Sequence, residues 1–188
     1  MTDESETLTA SRLPKLTLVL GGARSGKSRH AETLIMGHVA ATGTRPVYIA
    51  TAEAGDTEML ARIDEHQRRR DTIWTTVETL LGLDEALENH AREDRPILLD
   101  SLTLWLSNIM HAGLDVSSET EKLLFTLGAT TAPVICVSDE VGLGLVPESA
   151  IGRTFRDELG HLNQRIAAQA DRVVLVAAGL PLALKDET

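Results

Sequence analysis

The chain has 188 residues, enough for one domain with a sizeable core, and 43% of them are hydrophobic. Its net charge is −10, from 18 basic and 28 acidic residues, which argues against a nucleic-acid-binding role because phosphate backbones need a basic face. Nucleotides stay open as ligands, since they require only a local positive pocket.

Residues Met1–Lys15 are polar and acidic, without the basic start and apolar stretch of a signal peptide. They read as a loose tail ahead of a single domain over residues 16–188. The apolar run Leu16–Leu20 reads as a buried strand, and Ser28 to Met36 as the start of a helix. Between them stands Gly21-Gly22-Ala23-Arg24-Ser25-Gly26-Lys27-Ser28, a phosphate-binding loop pattern placed where its mechanism needs it. A strand feeding a glycine turn and then a helix aims successive backbone N–H groups into one concavity, and the helix dipole adds positive potential there. Lys27 would bring a cation to the β and γ phosphates, and the Ser28 hydroxyl would ligate Mg²⁺.

Val47–Ala50 reads as a second strand, followed by Thr51–Asp56 at its exit. Thr57–Arg70 reads as a helix in which Met59, Ile63 and His66 share one face. On spacing alone, a half-buried structural histidine is the commoner reading of His66. The functional reading is a nucleophile or proton carrier, kept neutral by Arg68, Arg69 and Arg70, although an arginine run on a helix is most often a solvated face. Ile97–Leu99 reads as a third strand closed by Asp100, which either holds Mg²⁺ downstream of a phosphate loop or merely caps the next helix. Ser118 and Glu121 fit a capping box opening a helix through Leu127.

Val134–Val137 is a fourth strand, and it carries the single cysteine, Cys136. One cysteine excludes an internal disulfide and points to a reducing compartment, the cytoplasm. Its apolar neighbours make it a buried strand residue rather than a nucleophile. Asp139–Glu148 contains two glycines and a proline and reads as a defined loop. Phe155, Leu159, Leu162 and Ile166 step at helical spacing within Ser149–Ala170. Val173–Ala177 is the last core strand, with a short exit segment to Leu184. Gly179 and Pro181 interrupt this run, which is too short to span a bilayer.

The strand segments are nearly continuous in Val, Ile, Leu and Ala and alternate with helical patterns. That predicts an α/β domain with a mostly parallel sheet covered by helices on both faces. Ligands in such sheets sit at the carboxyl ends of the strands, here Gly21–Ser28, Thr51–Asp56, Asp100–Ser101, Ser138–Gly144 and Ala178–Gly179.

Several segments together closely resemble one family. They are Gly21–Glu32, Tyr48–Ala52, Asp56 with Glu58-Met59 and Arg62-Ile63, His66, Trp74 with Glu78, Leu102–Asn108, Glu140–Glu148, and Arg153 with Phe155–Asp157 and Asn163-Gln164. The family is the bifunctional adenosylcobinamide kinase / adenosylcobinamide-phosphate guanylyltransferase of cobalamin biosynthesis, and the resemblance runs from Leu16 to Gly179. It implies a P-loop NTPase fold with a RecA-like sheet. It also implies two reactions: phosphorylation of the aminopropanol hydroxyl of adenosylcobinamide by ATP or GTP, then transfer of GMP from GTP to that phosphate through a histidine adduct. The matching histidine is His66. By position, Gly21 to Ser28, Ala50, Thr51, Ala52, Gln67, Arg68, Arg69, Arg70, Glu78 and Asp100 would contact nucleotide, with Mg²⁺ on Ser28 and Asp100. Members are expected to be homotrimers. Two departures from the pattern stand out: Asp139 where many members carry Asn, and Glu65 directly before His66. The rival readings are a kinase alone, which would form no GMP adduct; a GTP-dependent switch without corrinoid chemistry; and a nucleoside-type kinase, which usually needs an arginine-bearing lid.

Overall fold

The computed structural model describes residues 13–52 and 73–187. The expected helix Thr57–Arg70, with His66 and Gln67 to Arg70, therefore lies outside the described residues, as do residues 1–12 of the expected tail. Leu13 is buried, and its N–H donates to His38 Nδ1 at 3.4 Å.

Seven strands form one sheet: β1 (Leu16–Gly21), β2 (Val47–Ala50), β3 (Thr75–Glu78), β4 (Ile97–Asp100), β5 (Val134–Asp139), β6 (Arg172–Ala177) and β7 (Leu180–Asp186). Their spatial order is β3-β2-β4-β5-β1-β6-β7, and every pair is parallel except β6 with β7. Five described helices connect them: α1 (Lys27–Thr42), α2 (Leu83–His90), α3 (Leu102–His111), α4 (Val116–Ala129) and α5 (Ala150–Gln169).

The strand residues alternate between two apolar layers, as the two-residue period of a pleated strand requires. Leu18, Ile49, Leu99 and Cys136 face a cluster built with Leu87, Trp105, Leu123, Leu162 and Ile166, drawn from α2, α3, α4 and α5. Val19, Tyr48, Leu98, Val137 and Val176 face the other way, onto Ala31, Ile35 and Val39 of α1. All five expected strands and the helices starting near Ser28 and Ser149 are present. No described helix is long and apolar enough to cross a membrane.

Three local expectations are corrected. The fourth helix begins a turn earlier than the Ser118 capping box implied: Asp115 is its N-cap and accepts from Ser118 N–H at 2.6 Å. Its carboxylate is the stronger acceptor, so the cap moves upstream. The exit segment after Ala177 is instead a strand. Ala178 (φ 51°) and Gly179 (φ 80°) make a two-residue turn with both angles positive, the hairpin geometry that matches strand twist. Pro181 is tolerated because β7 is an edge. The edge strand β3 was not foreseen, because Thr75–Glu78 is half-exposed and lacks the apolar run that marked the others.

Candidate active site

The carboxyl ends of β2, β3 and β4 meet at one register: Ala50 lies between Glu78 and Asp100. One strand further, β5 pairs with β1 so that Asp139 stands opposite Gly21. At about 4.8 Å per strand, the axes of β1 and β4 lie about 10 Å apart, a span suited to a polyphosphate chain and its counter-ion. The strand order, with β5 inserted between the loop-bearing β1 and the acid-bearing β4, creates this separation.

The phosphate loop is closely fitted. A Cβ on Gly21 would run into the Ser25 side chain and lie 2.6 Å from Val176 O, so only glycine fits there. Gly26 has φ 95° and serves as N-cap of α1. Ser25 N–H donates to Gly22 O at 3.2 Å, and Gly179 N–H of the β6–β7 turn donates to Ser25 O at 2.8 Å. The hairpin thus buttresses the loop from the side opposite β5. Ser25 Oγ is buried and has no hydrogen-bond partner, an orphaned polar atom inside the loop.

Lys27 Nζ lies 2.5 Å from Asp139 Oδ1 and donates to Gly22 O at 3.3 Å. Asp100 accepts from the Tyr48 hydroxyl at 2.9 Å through Oδ2. It does not cap the following helix: Ser101 does, its hydroxyl accepting from Leu104 N–H at 3.3 Å. That removes the capping reading of Asp100, whose carboxylate instead ties the end of β4 to Tyr48 of β2. The buried Thr51 hydroxyl donates to Ser101 O at 2.7 Å and accepts from Ser101 N–H at 2.9 Å, locking the ends of β2 and β4 together. Ala52 follows, half-buried.

Among the described residues, no group of three or more His, Cys, Asp or Glu side chains forms a metal cage. The donors that fit a magnesium ion are the Ser28 hydroxyl and the Asp100 carboxylate. That is a sparse hard-oxygen set of the kind completed by phosphate oxygens and water, and it fits Mg²⁺ held jointly with a nucleotide. Burial lowers the His30 pKa, and burial pushes the Cys136 thiol up to about 12, so that cysteine is inert.

Several site residues were missed by reading motifs alone. Thr103 Oγ1 accepts from Asp139 N–H at 2.7 Å, and Asn163 Nδ2 donates to Asp139 O at 3.1 Å. Asn108 Nδ2 donates to Thr51 O at 2.9 Å and to Leu80 O at 3.1 Å. The available signal was a polar residue on an otherwise apolar helix face, in α3 and α5, at positions already within the family-like segments.

The fold and loop together define a P-loop NTPase-like fold with a RecA-like, mostly parallel sheet. Solved structures of that architecture agree. The flagellar accessory protein FlaH of Methanocaldococcus jannaschii superposes with a TM-score of 0.53 at 15% identity, over 93% of this chain and 80% of its own. A KaiC-like protein of Pyrococcus horikoshii gives 0.50 at 14% identity, over 86% and 71%. The family follows from sequence comparison. The model for cobinamide kinase / cobinamide phosphate guanyltransferase matches residues 17–184, and the chain belongs to that family of enzymes. The bifunctional adenosylcobalamin biosynthesis protein CobP of Pseudomonas aeruginosa is 46% identical over 172 residues, 90% of this chain and 97% of the relative. The corresponding protein CobU of Escherichia coli is 36% identical over 185 residues, 90% and 99%.

Proposed function

We propose that the chain phosphorylates the aminopropanol hydroxyl of adenosylcobinamide with ATP or GTP, then transfers GMP from GTP to the new phosphate. The products of the second step are adenosylcobinamide-GDP and pyrophosphate. The observation that carries this reading is the phosphate loop, with Lys27 and Ser28 at the start of α1 and Asp100 two strands away, in a chain of this family.

The loop amides of residues 22–28 and the α1 dipole receive the β and γ phosphates, and Lys27 neutralises charge that develops on them. Ser28 and Asp100 would hold Mg²⁺, which when bound offsets phosphate charge. Ala50, Thr51, Ala52 and Glu78 line the nucleotide side of the sheet edge, and Gln67 to Arg70 supply further contacts. In the second step, a neutral His66 nitrogen bonds to the α-phosphorus as its bond to the bridging oxygen breaks and pyrophosphate leaves. A phosphate oxygen of the corrinoid then takes the phosphorus and releases the imidazole. We assign the assembly as a cytoplasmic homotrimer. The solvent-facing leucines of edge strand β7 support an interface: Leu180, Leu182 and Leu184 are 72%, 59% and 56% exposed.

The test is GTP labelled on the α-phosphate, incubated with wild type and His66→Ala, quenched and run on a denaturing gel. The expected result is a wild-type band that is lost in acid, kept in base and absent from the variant. No label on wild type, with GTP still bound, reduces the reading to a kinase and returns His66 to a structural role.

A further inference from the structure

We propose that Asp139 is a positioning residue that makes nucleotide capture by the phosphate loop conditional on a divalent cation. The proposal rests on the reading of that loop as a triphosphate site. Lys27 is the cation that a triphosphate must engage, and its Nζ lies 2.5 Å from Asp139 Oδ1. Any phosphate that reaches Lys27 must share it with this carboxylate or displace it.

The backbone that carries this carboxylate has little room to withdraw. The N–H of Asp139 donates to Thr103 Oγ1 at 2.7 Å, and its carbonyl accepts from Asn163 Nδ2 at 3.1 Å. The next N–H, that of Glu140, donates to Gly21 O at 3.1 Å. Asp139 is therefore tied to α3, to α5 and to the strand that launches the loop, and only rotation of its side chain remains free. The backbone fixes where the charge is anchored, and in the rotamer that pairs with Lys27 it sits beside whichever phosphate Lys27 contacts. Like charges at that range repel strongly in a partly buried site, and salt screens them poorly. A nucleotide arriving with its divalent cation carries two fewer negative charges and meets less repulsion. A carboxamide at this position would have the same shape without the charge, and its N–H would donate to phosphate. The acid thus discriminates between the cation-bound and cation-free nucleotide.

The experiment is calorimetric titration of the intact protein with GTP, once in Mg²⁺ and once in chelator, for wild type, Asp139→Asn and Glu140→Gln. Glu140 is the control carboxylate, one residue away, whose Oε1 is engaged by the N–H groups of Gly142 at 2.6 Å and Leu143 at 3.1 Å. The expected result is a ratio of Kd in chelator to Kd in Mg²⁺ that falls by about tenfold in Asp139→Asn and stays at the wild-type value in Glu140→Gln. Asp139→Ser, checked for folding by circular dichroism alongside the others, moves the ratio in the same direction. An unchanged or larger ratio in both Asp139 variants overturns the proposal, as does an equal fall in Glu140→Gln. Failure of the wild type to bind GTP under either condition overturns the nucleotide-site reading, and this one with it.

Discussion

Gly21 shows how little latitude the loop gives a single side chain. Its hypothetical Cβ would sit 2.6 Å from Val176 O, a backbone atom of β6 that cannot move without breaking the β1–β6 ladder. Gly21→Ala is therefore expected to lower the melting temperature and to weaken GTP binding at least about tenfold, measured by thermal shift and calorimetry. Lys27→Ala leaves the fold intact and removes the cation that follows charge onto the transferred phosphate. Phosphorylation of adenosylcobinamide should fall about 10²- to 10³-fold, read as kcat in a coupled assay. Cys136 makes the opposite kind of prediction. It is fully buried with its pKa raised to about 12, so the folded state holds the thiol proton more tightly than the unfolded chain does. Between about pH 9 and pH 12 the unfolded state loses that proton first, and the stability contributed by the neutral thiol is lost as pH rises through this window. Urea denaturation at stepped pH should show this fall, and a Cys136→Ala variant should show a weaker slope. The native thiol should not react with a disulfide reagent until the protein is unfolded.

At the scale of elements, the helices are held by capping and by the two apolar layers on either face of the sheet. Ser149 caps α5 by accepting from Gly152 N–H at 3.2 Å, and Asp115 caps α4. Either residue changed to Ala is expected to cost about 1 kcal/mol in urea denaturation. Leu106 is fully buried in α3, packed within the cluster that backs the sheet edge. Leu106→Ala should cost about 2–5 kcal/mol, because the cavity it leaves is walled by rigid strands that cannot collapse into it. Element type was legible where the pattern was long and one-sided. The five core strands announced themselves as short, nearly continuous aliphatic runs, and α5 as four apolar residues at helical spacing. The pattern failed at the sheet margins. β3 is a half-exposed edge on which burial imposed no apolar run, whereas β7 is apolar but its run is broken by Gly179 and Pro181, which argued against a strand that only an edge position permits.

On the scale of the whole molecule, the sheet order decides what the residues can do together. With β5 between β1 and β4, Asp139 faces Lys27 while Asp100 stands a strand further off, tied to Tyr48. The hairpin turn at Ala178-Gly179 closes on the loop from the other side. The exposed leucines of β7 supply a prediction at this scale. On the homotrimer proposed above, light scattering coupled to size exclusion should find three chains, and Leu182→Lys should shift the assembly toward monomer while circular dichroism stays unchanged.

The sequence by itself determined the phosphate loop, the acid at the end of β4, the parallel α/β class and the family. Each of these is written in short local segments, one or several along the chain, whose internal spacing is set by local geometry: a strand, a glycine turn, a helix start. What it could not determine was partnership across the sheet edge. That Ser101 rather than Asp100 caps α3, that Thr103 and Asn163 clamp the backbone of Asp139, and that Asp139 rather than Asp100 is the partner of Lys27 are contacts between residues far apart in the chain. They exist only because hydrogen-bonded strand order brings those ends together. Strand order is fixed by how the helices bury both faces of the sheet, a property of the packed whole that no local pattern encodes.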